Sequence, residues 1–197
     1  MKVKTLLGND FSNACVTLSE KVANDFSPNI IIGVLTGGGH VGQKMYAQFN
    51  SEKCIYTEIK IQRESSKNKE NGLFHKLLQT LPLFLLNWLR MLEMLYEDYM
   101  AKKKNPKREG RIEFDQEIIN LLKSGEQKVL IVDDAIDTGA TLNLLKEHIN
   151  EHYPKCEVKL AVITVTSNHP IVDADYCLYH DRTLVRFPWS NDVKQKK

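Results

Sequence analysis

Residues 128–142, KVLIVDDAIDTGATL, constrain the fold more than any other stretch. Residues 128–132 are a short apolar run rich in β-branched side chains, the pattern of a strand buried on both faces. Asp133 and Asp134 end the run. Two adjacent carboxylates are costly inside a core, so they are expected where the strand emerges at the edge of a sheet. Asp137-Thr138-Gly139-Ala140-Thr141 follows, a small, hydroxyl-rich turn ahead of a helical pattern. N–H groups at a helix start, with threonine hydroxyls beside them, form an anion site of phosphate size. Acids that accept hydrogen bonds from sugar hydroxyls, beside a phosphate cradle, suit a ribose 5-phosphate.

The rest of the chain repeats the strand-to-helix theme. Residues 29–35, NIIIGVL, read as a second buried strand running into Thr36-Gly37-Gly38-Gly39-His40, with a helix over 41–49. Three consecutive glycines at such a junction permit unusual φ/ψ and close backbone approach to a ligand. Residues 11–26 carry an imperfect helical stripe (Ala14, Val16, Leu18, Val22, Ala23) that Ser27-Pro28 ends. Residues 54–61 alternate, with Ile55, Thr57, Ile59 and Ile61 on one face, as in a half-exposed strand. The polar run 62–72 reads as a loop. Asp115 is the expected N-cap of a helix over 115–123 with Ile118, Ile119 and Leu122 as its stripe. Residues 141–152 form the helix after the cradle, with Leu142, Leu145 and Ile149 inward. Its His148 and His152 lack a third ligand nearby and read as helix surface. Residues 158–165, VKLAVITV, are a further strand. Strands alternating with helices predict an α/β fold with a mainly parallel twisted sheet flanked by helices. Ligands of such sheets bind beyond the carboxyl ends of the strands, which makes the glycine and acid loops neighbours.

Residues 73–100 interrupt this pattern. Leu77, Leu78, Leu81, Leu85, Leu86, Leu89, Leu92 and Leu95, with Phe84, Trp88, Met91 and Met94, make a stripe wider than packing on a small sheet requires. A helix or helix pair is expected, packed on the body and against a second subunit. Asn87, Arg90 and Glu93 break the apolar run, so no stable membrane insertion is expected. Residues 101–111 read as a basic connector. With 197 residues, the chain suits one domain spanning 1–197. A net charge of +2 gives no global argument for nucleic acid. Cys15, Cys54, Cys156 and Cys177 show neither CxxC pairing nor metal-ligand spacing, so free thiols in a reducing, cytoplasmic setting are expected. The first ten residues lack the apolar core of a signal peptide.

The 128–142 stretch closely resembles the phosphoribosyl pyrophosphate (PRPP) signature of type I phosphoribosyltransferases: hydrophobic strand, two acids, two spacers, Asp-Thr-Gly-x-Thr. The resemblance implies that fold, with a helical insertion over about 73–101 and a C-terminal hood over about 168–192. It implies transfer of a 5-phosphoribosyl group from PRPP to a purine-like base, with Mg²⁺ as cofactor, small molecules as partners and a homodimer as the assembly. Asp133 and Asp134 would hold the ribose hydroxyls, directly or through the metal. Thr138, Gly139, Ala140 and Thr141 would bind the 5-phosphate, and Asp137 would share the proton of the base. Thr36, Gly37, Gly38 and Gly39 would form the pyrophosphate loop. Arg63, Ser65, Ser66 and Lys67 fall where the family has a loop that closes over the reacting centre. Phe187-Pro188-Trp189 is similar to the hood of purine and xanthine enzymes, which makes Leu184, Val185 and Trp189 base-binding candidates. Purine relatives often carry a basic residue in the pyrophosphate loop, where this chain has Thr36 and Gly37. Relatives selecting 6-oxopurines have a lysine after the strand at 158–165, where this chain has Thr164, Val165, Thr166 and Ser167. These departures keep open a PRPP- or nucleotide-sensing regulator without turnover, and the long 73–100 insertion keeps open a transferase for an unusual acceptor.

Overall fold

In the computed structural model, residues 2–49, 53–63, 110–180, 182–190 and 193 are described. The Leu-rich segment 73–101, its proposed role in self-association, and Ser65, Ser66 and Lys67 lie outside them.

The core strands follow from residues that must be buried on both faces. β2 (Ile30–Val34) is fully buried, and so are the first apolar residues of β6 (Lys128–Ile136). They pair in parallel, Ile30 opposite Val129 through Gly33 opposite Val132. β3 (Ile55–Ile59), β7 (Glu157–Val165) and β8 (Tyr176–Tyr179) complete a five-stranded parallel sheet in the order β3-β2-β6-β7-β8. β3 is an edge strand, which accounts for its half-buried side chains.

Strand alternation sends side chains to two separate cores. Ile31, Leu130, Val132, Ala161 and Ile163 pack against α1 (Asn9–Ala23) and α2 (Gly37–Tyr46). Ile30, Ile32, Val129, Ile131 and Val162 pack against α3 (Gln116–Lys123) and α4 (Ala140–His152). A helix–sheet–helix sandwich results, the α/β architecture expected from the alternation. Asp115 takes the N-cap position of α3 with extended backbone but without a side-chain cap bond. β1 (Val3–Thr5) pairs in parallel with β9 (Leu184–Arg186), joining the two ends of the chain. Among the described residues, no helix is long and apolar enough to cross a membrane.

Several local expectations need correction. β6 does not end before the acids; it runs on to Ile136. Its partner β7 continues alongside as far as Val165, giving the backbone somewhere to bond, while β2 pairing stops at Val132. The three glycines are not a loop before a helix. They are the first turn of α2, and none has positive φ. α1 buries Phe11, Cys15 and Ser19 in its stripe rather than Val16 and Ala23, and Ser19 satisfies its hydroxyl on Cys15 O at 2.9 Å. The two ends of the expected polar loop and basic connector instead pair as β4 (Gln62–Arg63) and β5 (Gly110–Arg111), an antiparallel ribbon. The backbone of Arg63 thus opposes Gly110.

Candidate active site

β2 leads through α2 to β3 on one side of the sheet, whereas β6 leads through α4 to β7 on the other. The direction in which successive parallel strands are added to the sheet therefore reverses between β2 and β6. Loops leaving those strands part to opposite faces and open a crevice at their carboxyl ends, the usual ligand site of an open α/β sheet. The glycine turn and the acid-rich stretch both lie there.

Close approach is what the glycines supply. A Cβ on Gly37 would stand 2.1 Å from Asp134 Oδ2, and one on Gly38 2.4 Å from Val132 O and 2.8 Å from Asp133 Cα. The first turn of α2 thus sits directly on the β6 backbone. The backbone of Gly39 is anchored from β3, where the Tyr56 hydroxyl lies 2.7 Å from Gly39 O and 2.8 Å from Glu58 Oε1.

Asp133 and Asp134 are half-buried. The Asp134 N–H donates to Asp133 Oδ1 at 2.8 Å, and the Trp189 indole N–H donates to Asp134 Oδ2 at 2.9 Å. Burial, then the neighbouring Asp134 charge, push the Asp133 carboxyl well above the usual carboxylate range. Burial also raises Asp134, and the Trp189 bond opposes that rise. Such a pair favours an arriving cation or hydroxyl donors, either of which relieves the confined charge. Among the described residues no three His, Cys, Asp or Glu side chains converge as a metal cage. Two hard carboxylates fit Mg²⁺, which is commonly held by one or two carboxylates together with substrate phosphates.

Past the acids, the Thr166 hydroxyl donates to Asp137 Oδ1. Thr166 is buried and its own N–H bonds Ile136 O at 2.9 Å, so the strap after β7 holds Asp137 at the rim. Gly139 adopts the left-handed conformation, φ +75°, as the N-cap of α4. Thr138 Oγ1 lies 3.4 Å from the Ala140 N–H, and Thr138 O accepts from the Ile171 N–H at 2.9 Å. The Asn143 N–H bonds Gly139 O at 2.9 Å, and the amides before it point along the helix axis as a positive, anion-binding end. The acids are thereby flanked by two helix N-termini, those of α2 and α4.

The expected hood residues fall as follows. Leu184 is half-buried, with its N–H on Lys2 O at 2.9 Å. Val185 points into the core beside α1 and its backbone aligns with Lys4. Trp189 stacks with Phe187 (5.0 Å between ring centroids) and His40 (4.8 Å), and meets Phe11 edge-on. Its side chain is engaged with Asp134 and these rings. Two participants had not been singled out in the sequence as site residues: Thr166, as the donor to Asp137, and His40, as the neighbour of Trp189. A threonine just past an apolar strand, at the same sheet end as Asp137, was the available signal for the first. His148 and His152 stack on each other at 4.2 Å on α4, remote in sequence from the acids.

A family model described as phosphoribosyl transferase domain matches residues 8–195. No curated protein matches the chain. Among solved structures, a purine phosphoribosyltransferase from Pyrococcus horikoshii is similar, with 19% identity, a TM-score of 0.61 and coverage of 100% of this chain and 99% of that one. A xanthine-guanine-hypoxanthine phosphoribosyltransferase from Helicobacter pylori has 12% identity and a TM-score of 0.54, covering 93% and 91%. A hypothetical protein from Neisseria gonorrhoeae with bound ppGpp has 14% identity and a TM-score of 0.58, covering 96% and 90%. These likenesses are to the fold.

Proposed function

Since this chain belongs to the phosphoribosyl transferase domain family, we propose that it moves a 5-phosphoribosyl group from PRPP to a nitrogen of a purine-like base and releases pyrophosphate. One observation supports this most: two neighbouring acids stand between two helix N-termini in the crevice between β2 and β6. A molecule with phosphates at both ends and a hydroxylated ring between them matches that order of charge.

The 5-phosphate is assigned to the turn of Thr138, Gly139, Ala140 and Thr141, where amides and hydroxyls donate. Asp133 and Asp134 take the ribose hydroxyls, and the first turn of α2 at Gly37, Gly38 and Gly39 faces the leaving pyrophosphate. Bound Mg²⁺ would neutralise part of the pyrophosphate charge, with Asp133 and Asp134 as the residues to hold it, directly or through water. In the transition state the ribose gains positive charge while negative charge grows on the leaving group. Oriented amides stabilise the latter without reorganisation. Asp137, steadied by Thr166, shares the proton of the attacking nitrogen, an effect worth about 10²–10⁴-fold. Leu184 and the Val185 backbone remain candidates for gripping the base. Cytoplasmic location and self-association through residues 73–101 belong to the same proposal and rest on the sequence alone.

A second reading is a PRPP sensor without turnover. It is favoured by one observation: the position after β7 holds Thr166, whose hydroxyl is already committed to Asp137, where a lysine would have gripped a 6-oxo group. The test is incubation of the pure protein with PRPP, Mg²⁺ and a panel of bases. Pyrophosphate release with one base, lost in Asp137→Asn while PRPP binding persists, supports the transferase. Tight PRPP binding without release on any base supports the sensor.

A further inference from the structure

The Trp189 contact points to a different role from base gripping. Its indole N–H is a donor with no acceptor capacity, and its bond reaches Asp134 Oδ2 at 2.9 Å. Its ring is wedged among three aromatic neighbours from three segments: Phe11 on α1, His40 on α2 and Phe187 just past β9. The rings therefore set where the N–H points. Asp134 is a half-buried carboxylate whose Oδ2, the oxygen the indole bonds, also faces the bare Cα of Gly37. A carboxylate in such a place has several rotamers open unless a donor selects one. The indole bonds Oδ2 and, with Gly37 against the same oxygen, fixes the plane of the carboxylate. The N-cap stretch of α2 and the C-terminal segment are thereby joined through one acid.

We propose that Trp189 is a positioning residue for the sugar-phosphate donor: its indole N–H holds Asp134 in the orientation that receives the PRPP ribose. This rests on the transferase-or-sensor reading of the crevice as a PRPP site.

Trp189→Phe keeps a flat ring for the stacking and removes only the N–H. The dissociation constant of PRPP with Mg²⁺ should rise about tenfold, the usual scale for one hydrogen bond to a charged group, while the thermal midpoint stays within about 2 °C. In an Asp134→Ala background the same substitution should add nothing, because the acceptor is gone. A contact readout independent of ligand is the indole N–H resonance of Trp189, distinguished from that of Trp88 with a Trp88→Phe variant. It should move in Asp134→Ala. The proposal is overturned if Trp189→Phe leaves PRPP affinity unchanged and instead raises the KM of a base. It is also overturned if the two losses multiply, if the midpoint collapses in step with affinity, or if the resonance does not move. Should the wild-type protein not bind PRPP at all, the reading of the crevice fails and this role with it. The indole resonance would still report whether the contact exists.

Discussion

Gly38→Ala puts the packing of the glycine turn to a quantitative test. Alanine in place of glycine inside a helix ordinarily stabilises by about 0.5–1 kcal/mol, because the unfolded chain has less freedom to lose. Here the new methyl would stand 2.4 Å from Val132 O and 2.8 Å from Asp133 Cα. An ordinary contact begins at 3.4 Å, so the first gap is short by a full ångström. Both obstacles are backbone atoms of β6, which is clamped between β2 and β7 and cannot yield. α2 must lift instead, away from Val132 and the acids. Overpacking costs about 1–3 kcal/mol, and a full-ångström overlap with fixed backbone belongs at about 2–3, which exceeds the helix gain and leaves a net loss of about 1–2.5 kcal/mol. For a chain of this length that lowers Tm by roughly 2–10 °C. Thermal denaturation followed by circular dichroism reads it, with Gly42→Ala as the comparison. At Gly42 the nearest obstacle is the Tyr56 ring at 3.0 Å, a side chain that can give, so the loss there should be smaller. A Gly38→Ala protein as stable as wild type, or more so, would refute the claim that α2 rests on the strand through its glycines.

Three further outcomes follow from named contacts. Thr166→Val removes the donor to Asp137 while keeping the shape, and kcat of the transfer should fall about tenfold with PRPP affinity unchanged; a kcat equal to wild type would show that Thr166 does not orient the acid. His148 is held below its ordinary 6.5, first by burial and then by the charge of His152. The unfolded chain thus takes up a proton that the folded chain resists, so stability is lost as pH falls through 6.5. Urea melts between pH 7 and about pH 5 should be flatter for His148→Gln, and an unchanged slope contradicts this. Cys15, Cys54, Cys156 and Cys177 are all buried, and desolvation raises each thiol. Because the thiolate is the reactive form, a thiol reagent should modify the native protein with no fast phase at any of these four. Rapid labelling at one of them would mean that its burial is wrong.

Much of the fold could be read from residue pattern because its strands are hidden on both sides. Runs such as 30–34 and 128–132 leave little choice but a parallel sheet covered twice. Strand limits were less legible. Asp133 and Asp134 end the apolar run, yet the strand continues, since extended backbone needs only a neighbour to bond and β7 provides one. The position of the glycine turn was legible, but its packing role was not: the absent side chains make room for β6, a partner nearly a hundred residues away that no local pattern reveals. The same holds for Trp189 and in part for Thr166. Each acts through a contact with a distant acid; the place of Thr166 just past an apolar strand hints at its partner, whereas nothing around Trp189 points to Asp134. The reversal between β2 and β6 depends on strand order, which periodicity does not encode.

A crystal structure of the protein with PRPP and Mg²⁺ measures directly where the sugar phosphate sits. The 5-phosphate should lie on the amides of the Thr138–Thr141 turn, the ribose hydroxyls against Asp133 and Asp134, and the pyrophosphate over the first turn of α2. A phosphate bound elsewhere, or a ribose out of reach of both acids, would contradict that placement.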